Sequence, residues 1–337
     1  MILDTETAEK LCAFLTDETG YAVILENAVP LAGGASREML LLDLRIDGFP
    51  GKYVLRCDPP TQMNERALTR AQEFAVMQGA YEAGIRIAKP CWSCEDTSVL
   101  GSPFFIMDYV EGMSIGRKVV SAPELAQARA VLPQQMAEEL AKIHTLPMDN
   151  FDFLPTPRPV YSSARDAIAM CYEVLDALKV SNPALEVALR WADRHAPAVE
   201  SWTFVHGDFR IGNLIVNGEG LAAVADWEFC HVGDPDEDLG YPCMRDWRFG
   251  VGHLRFGGIS DREAFLTAYE GASGRAANRQ SVEFWEILGN IRWGVICLSQ
   301  ANRHLSGRES GVELASLGRR SAEMQLEALR LIQQFGG

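Results

Sequence analysis

The sequence lacks the features that mark membrane-spanning and secreted proteins. No apolar run reaches the roughly 18 residues that suggest a membrane-spanning helix. The first residues, Met1 to Glu6, carry acidic side chains, whereas a secretory signal peptide begins with basic ones. No internal repeat or low-complexity tract interrupts the 337 residues. These absences predict a globular, cytoplasmic protein of one large or two moderate domains that does not bind membranes.

Basic charge is also scarce. The chain has 31 Lys and Arg residues against 46 Asp and Glu residues, which gives a formal net charge of −15. Nucleic acids and anionic membranes select basic surfaces, so this composition argues against both as partners. An acidic surface suits a cationic substrate only weakly, because charges more than about 8 Å apart are largely screened at physiological salt. We expect a small-molecule partner and a monomer or homodimer.

The eight cysteines do not cluster as metal ligands do. Most of them lie in apolar segments, which is typical of buried, reduced thiols. Cys91 and Cys94 form a C-x-x-C pair, but no second pair or histidine cluster accompanies it. Zinc binding or redox chemistry at this pair is therefore the weaker alternative.

The most informative stretch is residues 204–216, Phe-Val-His-Gly-Asp-Phe-Arg-Ile-Gly-Asn-Leu-Ile-Val, in which two β-prone runs bracket a polar loop. The loop offers the carboxylate of Asp208 and the amide of Asn213. A third apolar run, 221–225, leads directly into Asp226. A carboxylate can orient and deprotonate an attacking hydroxyl, and amide and carboxylate oxygens suit Mg²⁺ on nucleotide phosphates. The pattern predicts phosphoryl transfer.

This stretch resembles the catalytic loop of the aminoglycoside phosphotransferase and choline kinase superfamily, which are small-molecule kinases with a protein-kinase-like fold. The family pattern is His-Gly-Asp, four residues, Asn, and later Asp-x-Glu. It is met here at His206, Gly207, Asp208, Asn213 and the segment from Asp226 to Glu228. The alternative is that these polar residues merely shape a hairpin turn.

The resemblance implies an α+β fold of two lobes, with a small β-rich N-terminal lobe that binds nucleotide and a larger, mainly helical C-terminal lobe. The chain changes from β-rich to helical character near Gly112, so we expect lobes at 1–111 and 112–337. Helical patterns include residues 64–81 in the first lobe and 122–144 in the second.

The resemblance also implies roles for the catalytic residues. Asp208 would align the acceptor hydroxyl and take its proton, and Asn213 and Asp226 would hold Mg²⁺. His206 would brace the loop. Arg210 could pair with Asp208, with phosphate or with an acidic substrate, and these alternatives stay open.

Two further acidic residues belong to this picture. Glu228 replaces the glycine of protein kinases and could assist the metal or face the acceptor. Asp238 follows in a Gly-Asp-Pro-x-x-Asp-Leu segment that resembles the family's, and we expect it to hold the catalytic loop. The acidic run 234–238 is also compatible with a cationic aminoglycoside acceptor, provided that its side chains face the pocket.

The N-terminal lobe contains the expected nucleotide-binding residues. Gly33, Gly34 and Ser36 lie in a glycine-rich segment between two strand-like runs, where backbone N–H groups could approach phosphates. An ordinary hairpin turn is the alternative. Kinases of this kind place a lysine on the next strand; here Arg56 takes that position, with Lys52 as a fallback.

Two more positions follow from the resemblance. Glu73, on the helix after that strand, would form an ion pair with Arg56. Backbone groups of Asp108 and Val110 would bond adenine in the segment that joins the lobes. The implied ligands are Mg²⁺ and ATP, with GTP as a possible replacement.

The sequence therefore predicts an ATP-dependent kinase of a small hydroxyl compound. A hydroxy acid or hydroxyacyl thioester is favoured, because Leu55-Arg56 and the catalytic loop resemble the branch linked to acyl-CoA dehydrogenases. An aminoglycoside or macrolide is the alternative acceptor. A nucleotide-binding module without transfer activity is the alternative of another class, suggested by Arg56 in place of lysine.

Overall fold

The computed structural model describes residues 3–31, 38–57, 67–198, 201–309 and 311–335. They form a small lobe built on a sheet and a larger, mostly helical lobe, which confirms the predicted α+β class. The predicted phosphate-loop residues Gly33, Gly34 and Ser36 lie outside the described residues. No helix within the described ranges has the length and apolar character needed to cross a membrane.

The N-terminal lobe is a five-stranded antiparallel sheet with strand order β1-β2-β3-β5-β4. Helix α1 precedes the sheet, α2 connects β3 to β4, and the short α3 connects β4 to β5. In chain order the elements are α1 (Thr5–Thr19), β1 (Val23–Pro30), β2 (Glu38–Ile46), β3 (Phe49–Cys57), α2 (Arg70–Glu82), β4 (Pro90–Cys94), α3 (Thr97–Leu100) and β5 (Phe104–Asp108).

The two faces of this sheet pack against different helices. Phe104 and Ile106 of β5 share one core with Leu15 of α1, whereas Phe105 joins a second core with Phe74 of α2. This alternation follows from the two-residue period of a strand. The second core continues into the helical lobe. Helix α2 is thus fixed between the sheet and the catalytic lobe.

Helix α2 begins at Arg70, later than the predicted start at residue 64. The Thr69 side chain accepts a hydrogen bond from the Gln72 N–H, and the Gln72 side chain accepts one from the Thr69 N–H. This capping box fixes the first turn. Residues 64–66 lie outside the described residues, and residues 67–69 are not helical.

The predicted helix at 122–144 is in fact two elements, a 3₁₀ turn (Pro123–Leu125) and α5 (Ala126–Ile143), and a separate short helix, α4 (Gly116–Ser121), precedes them. Ala122 is extended, with ψ 126°, because the ring of the following proline disfavours helical backbone at that position. The other helices are α6 (Ser163–Leu178), α7 (Pro183–His195), α8 (Pro235–Gly240), α9 (Arg262–Ser273), α10 (Arg279–Leu305) and α11 (Val312–Phe335).

Two small sheets carry the catalytic segments. Antiparallel strands β6 (Thr203–Val205) and β9 (His231–Gly233) form one, and the hairpin of β7 (Leu214–Asn217) and β8 (Gly220–Val224) forms the other. The loop between β6 and β7 and the segment between β8 and β9 therefore lie side by side. We propose lobes at 1–111 and 112–337, because Met113 already pairs with Val216 of β7.

Candidate active site

The catalytic loop presents the Asp208 carboxylate to the cleft between the lobes. Its Oδ1 accepts a hydrogen bond from Arg210 Nε at 3.0 Å, and its Oδ2 accepts one from Asn213 Nδ2. Asn213 Nδ2 also donates to the Asp208 backbone carbonyl at 2.9 Å. Asp208 is 7% exposed, so the carboxylate is buried but lines the cleft. The loop thus holds its carboxylate in one orientation.

Gly207 lets the loop approach the segment between β8 and β9. Its φ is +80°, and a Cβ at this position would lie 2.4 Å from the Phe229 carbonyl oxygen. A side chain would therefore both strain the backbone and collide with a neighbouring main chain. This explains the glycine of the His-Gly-Asp pattern in physical terms.

Asp238 lies behind the loop and holds its backbone. Its Oδ2 accepts the His206 N–H at 2.6 Å, and its Oδ1 accepts the Gly207 N–H at 3.0 Å. His144 Nε2 lies 3.3 Å from Oδ2, and His144 Nδ1 is 2.7 Å from the Tyr269 hydroxyl. Asp238 has no solvent exposure. This is the bracing position expected from the sequence, whereas the participation of His144 and Tyr269 was not predicted.

The His206 ring is also a brace. Its Nδ1 accepts the Asp208 N–H at 3.3 Å. Burial lowers the pKa of His206, although the carboxylates of Asp238 and Asp208 oppose that effect. A neutral ring that accepts a backbone N–H at Nδ1 carries its single proton on Nε2, so it orients the loop and lacks the acidic proton of a charged imidazolium.

Asn213 and Asp226 fit a magnesium ion. The Ala225 N–H donates to the Asn213 carbonyl at 2.9 Å, which ties the two ligand-bearing segments together. Because the Nδ2 group of Asn213 donates to Asp208, the Oδ1 atom of Asn213 is the one that could bind a metal. Asp226 has left-handed backbone, φ 72° and ψ 62°, at the point where β8 has ended. One amide and one carboxylate oxygen leave the remaining positions of a hard cation to phosphates and water.

No group of three or more His, Cys, Asp or Glu side chains in the described ranges could hold a metal by itself. The C-x-x-C pair is also unsuited to redox chemistry. Burial, together with the neighbouring Asp108 carboxylate, raises the pKa of Cys91 to about 12, and its Sγ lies 3.3 Å from Asp108 Oδ1. Cys94 is a buried, unpaired thiol. The thiolate is the reactive form of cysteine, and the raised pKa of both Cys91 and Cys94 disfavours that form.

A network of ion pairs occupies the nucleotide side of the cleft. Arg56 Nη2 lies 3.1 Å from Glu73 Oε1, which is the predicted ion pair, and also 3.1 Å from Asp226 Oδ1 and 3.3 Å from Glu228 Oε2. Arg70 links the same two glutamates, with its Nη2 3.2 Å from Glu228 Oε2. The network joins the N-terminal lobe to the segment that follows β8.

Arg70 was not predicted, because a helix rich in Ala, Glu and Arg gives no reason to single out one arginine. Lys52, the alternative to Arg56 as the phosphate-binding cation, is exposed on β3, whereas Arg56 is buried. The two lobes also meet through the backbone, since the Leu68 N–H donates to the Glu228 carbonyl at 2.8 Å. Glu228 therefore contacts the N-terminal lobe through both its side chain and its main chain.

Asp108 and Val110 lie at the rim of the cleft, in the segment that leaves β5. The Asp108 N–H already donates to the Lys89 carbonyl at 2.9 Å, and the Tyr109 N–H donates to the Lys52 carbonyl at 3.1 Å. The Asp108 backbone group that remains for adenine is its carbonyl oxygen. The adenine contact of Asp108 and Val110 stays a prediction, in which Asp108 would accept a hydrogen bond through its carbonyl oxygen.

The acidic run 234–238 does not offer free charge to the cleft. Asp234, Asp236, Glu237 and Asp238 are all buried. Each has partners: Asp234 accepts from Trp285 Nε1 at 2.9 Å, Asp236 pairs with Arg275 at 2.8 Å, Glu237 pairs with Arg292, and Asp238 holds the catalytic loop. Glu237 lines the cleft, but it does so already paired with an arginine.

The part of the cleft beside Arg210, called the acceptor side from here on, contains aromatic residues that the sequence analysis did not assign to it. The Arg210 guanidinium lies 4.3 Å from the centre of the Trp247 ring, which in turn packs against Tyr241 and Trp293. Burial, and the nearby Asp208 carboxylate, raise the pKa of Tyr241. The cleft encloses about 1940 Å³, beyond the roughly 300–1,000 Å³ of ordinary ligand pockets. A nucleotide and a sizeable acceptor fit together.

Several known proteins resemble this chain in sequence or in fold. The chain is 32% identical over 205 residues to mouse (Mus musculus) acyl-CoA dehydrogenase family member 10, covering 57% of this chain and 18% of that protein. The chain spans between 18% and 39% of the length of the curated relatives it matches. A putative aminoglycoside phosphotransferase from Ralstonia eutropha JMP134 superposes with a TM-score of 0.76 at 23% identity, covering 97% of this chain and 98% of the other.

A spectinomycin phosphotransferase, solved in complex with ADP and spectinomycin, superposes with a TM-score of 0.62 at 13% identity, covering 95% of this chain and 98% of the other. Structural likeness at these identities shows the fold. The protein-family model described as the phosphotransferase enzyme family matches residues 27–285, which include the whole catalytic loop and the ion-pair network. The chain belongs to this family of phosphotransferases.

Proposed function

We propose that the protein transfers the terminal phosphate of ATP to a hydroxyl group of a small molecule, with a hydroxy acid or hydroxyacyl compound as the favoured acceptor. The observation that carries this proposal is the juxtaposition of the Asp208 carboxylate with Asn213 and Asp226 in one cleft. GTP remains a possible donor.

The chain's own residues account for the positioning that phosphoryl transfer requires. Asp208 orients the acceptor hydroxyl and receives its proton, and Asn213 and Asp238 hold Asp208 in place through its side chain and its loop. General-base catalysis contributes about 10²–10⁴-fold to a rate. Magnesium, held by Asn213 and Asp226, would supply the positive charge that stabilises the leaving phosphate oxygens.

On the nucleotide side, Arg56 replaces the usual lysine. Its guanidinium has five N–H donors, so it can keep its bond to Glu73 while other donors reach a phosphate. Asp108 and Val110 would bond adenine at the cleft rim. That the spectinomycin phosphotransferase binds ADP in the same fold supports a nucleotide at this position.

The charge on the acceptor side favours an anionic acceptor over a cationic antibiotic. Asp236 and Glu237 of the acidic run are paired with arginines, and Asp234 and Asp238 accept N–H groups, so the run provides little attraction for an aminoglycoside. Four arginines that line this part of the cleft are likewise paired with carboxylates that the proposed reaction does not use: Arg245, Arg292, Arg320 and Arg330. The charge that favours an anionic acceptor is therefore that of Arg210, whose partner is Asp208. The sequence similarity to acyl-CoA dehydrogenase family members is in keeping with an acyl-derived hydroxy compound. An aminoglycoside or macrolide acceptor is the second candidate.

The test is magnesium-dependent ATP consumption with hydroxy acids and their thioesters, aminoglycosides and macrolides as acceptors. Stimulation by the first group supports the proposal, and stimulation only by an antibiotic favours the second candidate. Asp208→Asn should bind ATP with unchanged affinity and lose about 10²–10⁴-fold in transfer rate. If the wild type binds ATP and consumes it no faster than this variant with any acceptor, the chain is an inactive nucleotide-binding module.

A further inference from the structure

The Arg210 guanidinium lies where the catalytic carboxylate meets the acceptor side of the cleft. Its Nε donates to Asp208 Oδ1 at 3.0 Å, and its central carbon lies 4.3 Å from the centre of the Trp247 ring. A cation within about 6 Å of an indole face is attracted to it. Two side chains, Asp208 and Trp247, therefore position Arg210. Under the proposed function, Asp208 must also interact with the acceptor hydroxyl.

The loop is built to accommodate Arg210 in this position. A Cβ on Gly212 would lie 2.1 Å from Arg210 Nη1, so the absence of a side chain there leaves the space that the guanidinium fills. The Arg210 side chain is 21% exposed, which makes it accessible from the cleft. The ring of Trp247 offers a flat, apolar surface beside the guanidinium.

Arg210 differs from its neighbours in the partner that it uses. Within the described ranges, Asp208 is the only carboxylate within 4.0 Å of the Arg210 side chain. Three other arginines of the acceptor side pair with carboxylates that have no role in the proposed reaction: Arg292 with Glu237, Arg320 with Asp246, and Arg330 with Glu327. Arg210 alone among these four must share its partner with the acceptor.

We propose that Arg210 is a specificity-determining residue that recognises an anionic group, a carboxylate or a phosphate, on the acceptor. This inference rests on the proposed phosphotransferase function. Without such an anion, Arg210 stays on Asp208 Oδ1 and hinders the approach of a hydroxyl. An acceptor anion competes for the guanidinium and draws it away from Oδ1, which leaves Asp208 to orient the hydroxyl. Water, which carries no anion, is then a poor acceptor.

The experiment measures magnesium-dependent hydrolysis of ATP in the absence of any alcohol, a reaction of ATP with water that gives ADP and inorganic phosphate. Arg210→Met should hydrolyse ATP at least about fivefold faster than the wild type, because Asp208 is then open to water. Arg210→Lys keeps the charge beside Asp208 and should stay as slow as the wild type. Arg190→Met is the matched control, since Arg190 is exposed and pairs with Glu186 on its own helix.

A second measurement adds small probes that lack a hydroxyl, at constant ionic strength. Propionate should stimulate hydrolysis by the wild type, whereas propionamide and propylammonium should not, and Arg210→Met should not distinguish the three. Thermal unfolding shows whether each variant is folded; if Arg210→Met is not, the comparison of the three probes on the wild type decides.

Two results would overturn the inference. Hydrolysis by folded Arg210→Met that is no faster than the wild type would show that Arg210 does not restrain Asp208 and serves the nucleotide phosphates or the loop instead. Equal effects of propionate and propionamide on the wild type would show that no anion is recognised. Failure of the proposed function itself is distinguishable, because the wild type would then either show no ATP binding by calorimetry or bind ATP and transfer phosphate to none of the alcohol acceptors.

Discussion

The carboxylates in front of the catalytic loop and those behind it are held by different kinds of partner. Asp208 and Asp226 face the cleft and are paired with the side chains of Arg210 and Arg56. Asp238 lies behind the loop and accepts two backbone N–H groups. An arginine side chain can move away when a ligand arrives, but a backbone N–H moves only if the loop does. The kind of partner thus separates the residues that we propose to take part in the reaction from those that hold the loop in place.

The same contrast extends along the chain to Asp234, at the start of α8. Its carboxylate accepts the Asp236 N–H at 3.0 Å and the Trp285 indole N–H at 2.9 Å. A carboxylate at this position satisfies N–H groups that the first helical turn leaves without partners. In the Gly-Asp-Pro-x-x-Asp-Leu segment of this chain, both Asp234 and Asp238 therefore hold neighbouring backbone in place.

The largest expected effects come from changing one residue of each kind to asparagine. Asp226→Asn should reduce transfer by at least about 10²-fold through loss of a metal ligand, with a smaller change in the free energy of unfolding than Asp238→Asn, because Arg56 keeps Glu73 and Glu228. Asp238→Asn should lower the free energy of unfolding by about 3 kcal/mol, since an amide cannot accept both N–H groups.

Urea unfolding and assays of the folded fraction measure the two quantities separately. The comparison breaks down if Asp226→Asn destabilises the protein as much as Asp238→Asn does. It also breaks down if Asp238→Asn leaves stability unchanged.

A smaller effect is expected from Asp234→Asn, through the dependence of stability on pH. Burial and the charge of Asp236 raise the pKa of Asp234 from 3.8 to about 6. Between about pH 4 and pH 6 the folded protein binds the proton more tightly than the unfolded chain, so stability contributed by protonation is lost as pH rises through that window. Asparagine also caps helices and has no such titration.

At pH 7.5 the variant should therefore gain about 2–3 kcal/mol over the wild type, relative to their difference at pH 4. Urea unfolding at several pH values measures this gain. A difference between the two proteins that is constant from pH 4 to pH 7.5 would contradict the raised pKa of Asp234.

The smallest effect, on the dissociation constant of ADP, should come from Lys52→Ala. This variant compares an exposed cation of β3 with the buried Arg56 on the same strand. Lys52 and Arg56 share one strand parity, but Lys52 is exposed and Arg56 lies within the ion-pair network. We expect less than about a twofold change in the dissociation constant of ADP for Lys52→Ala, and at least about a tenfold increase for Arg56→Met. Calorimetric titration with ADP and magnesium tests both. Comparable weakening in the two variants would show that Lys52 also contacts phosphate.

The fold was predicted through a family resemblance, and that resemblance could be recognised because the signals of the loop at 204–216 are local. The spacing from Asp208 to Asn213 and the run of apolar residues on either side are properties of neighbouring positions. Helix starts were less predictable: the start of α2 depends on the capping box at Thr69, and α5 is separated from α4 by the backbone restriction before Pro123. Both are decided by one or two residues within an otherwise helical pattern.

The residues that the sequence missed are those whose roles depend on distant partners. Arg70, His144 and Trp247 act through Glu228, Asp238 and Arg210, which lie far from them along the chain. A single sequence contains no measure of such pairings. The acidic run was ambiguous for the same reason, because only the fold brings Arg275 and Arg292 to it.

The contacts of Glu228 have a consequence for the speed of turnover. The lobes are joined on one side by the chain that leaves β5, and on another by the Leu68–Glu228 backbone hydrogen bond and the two arginines that share the Glu228 carboxylate. Wide rotation of one lobe away from the other would have to break all of these contacts at once. If the protein turns over nucleotide as proposed, we expect the spent nucleotide to leave through local movements at the mouth of the cleft, so that the mouth rather than the lobes would set the rate of product release.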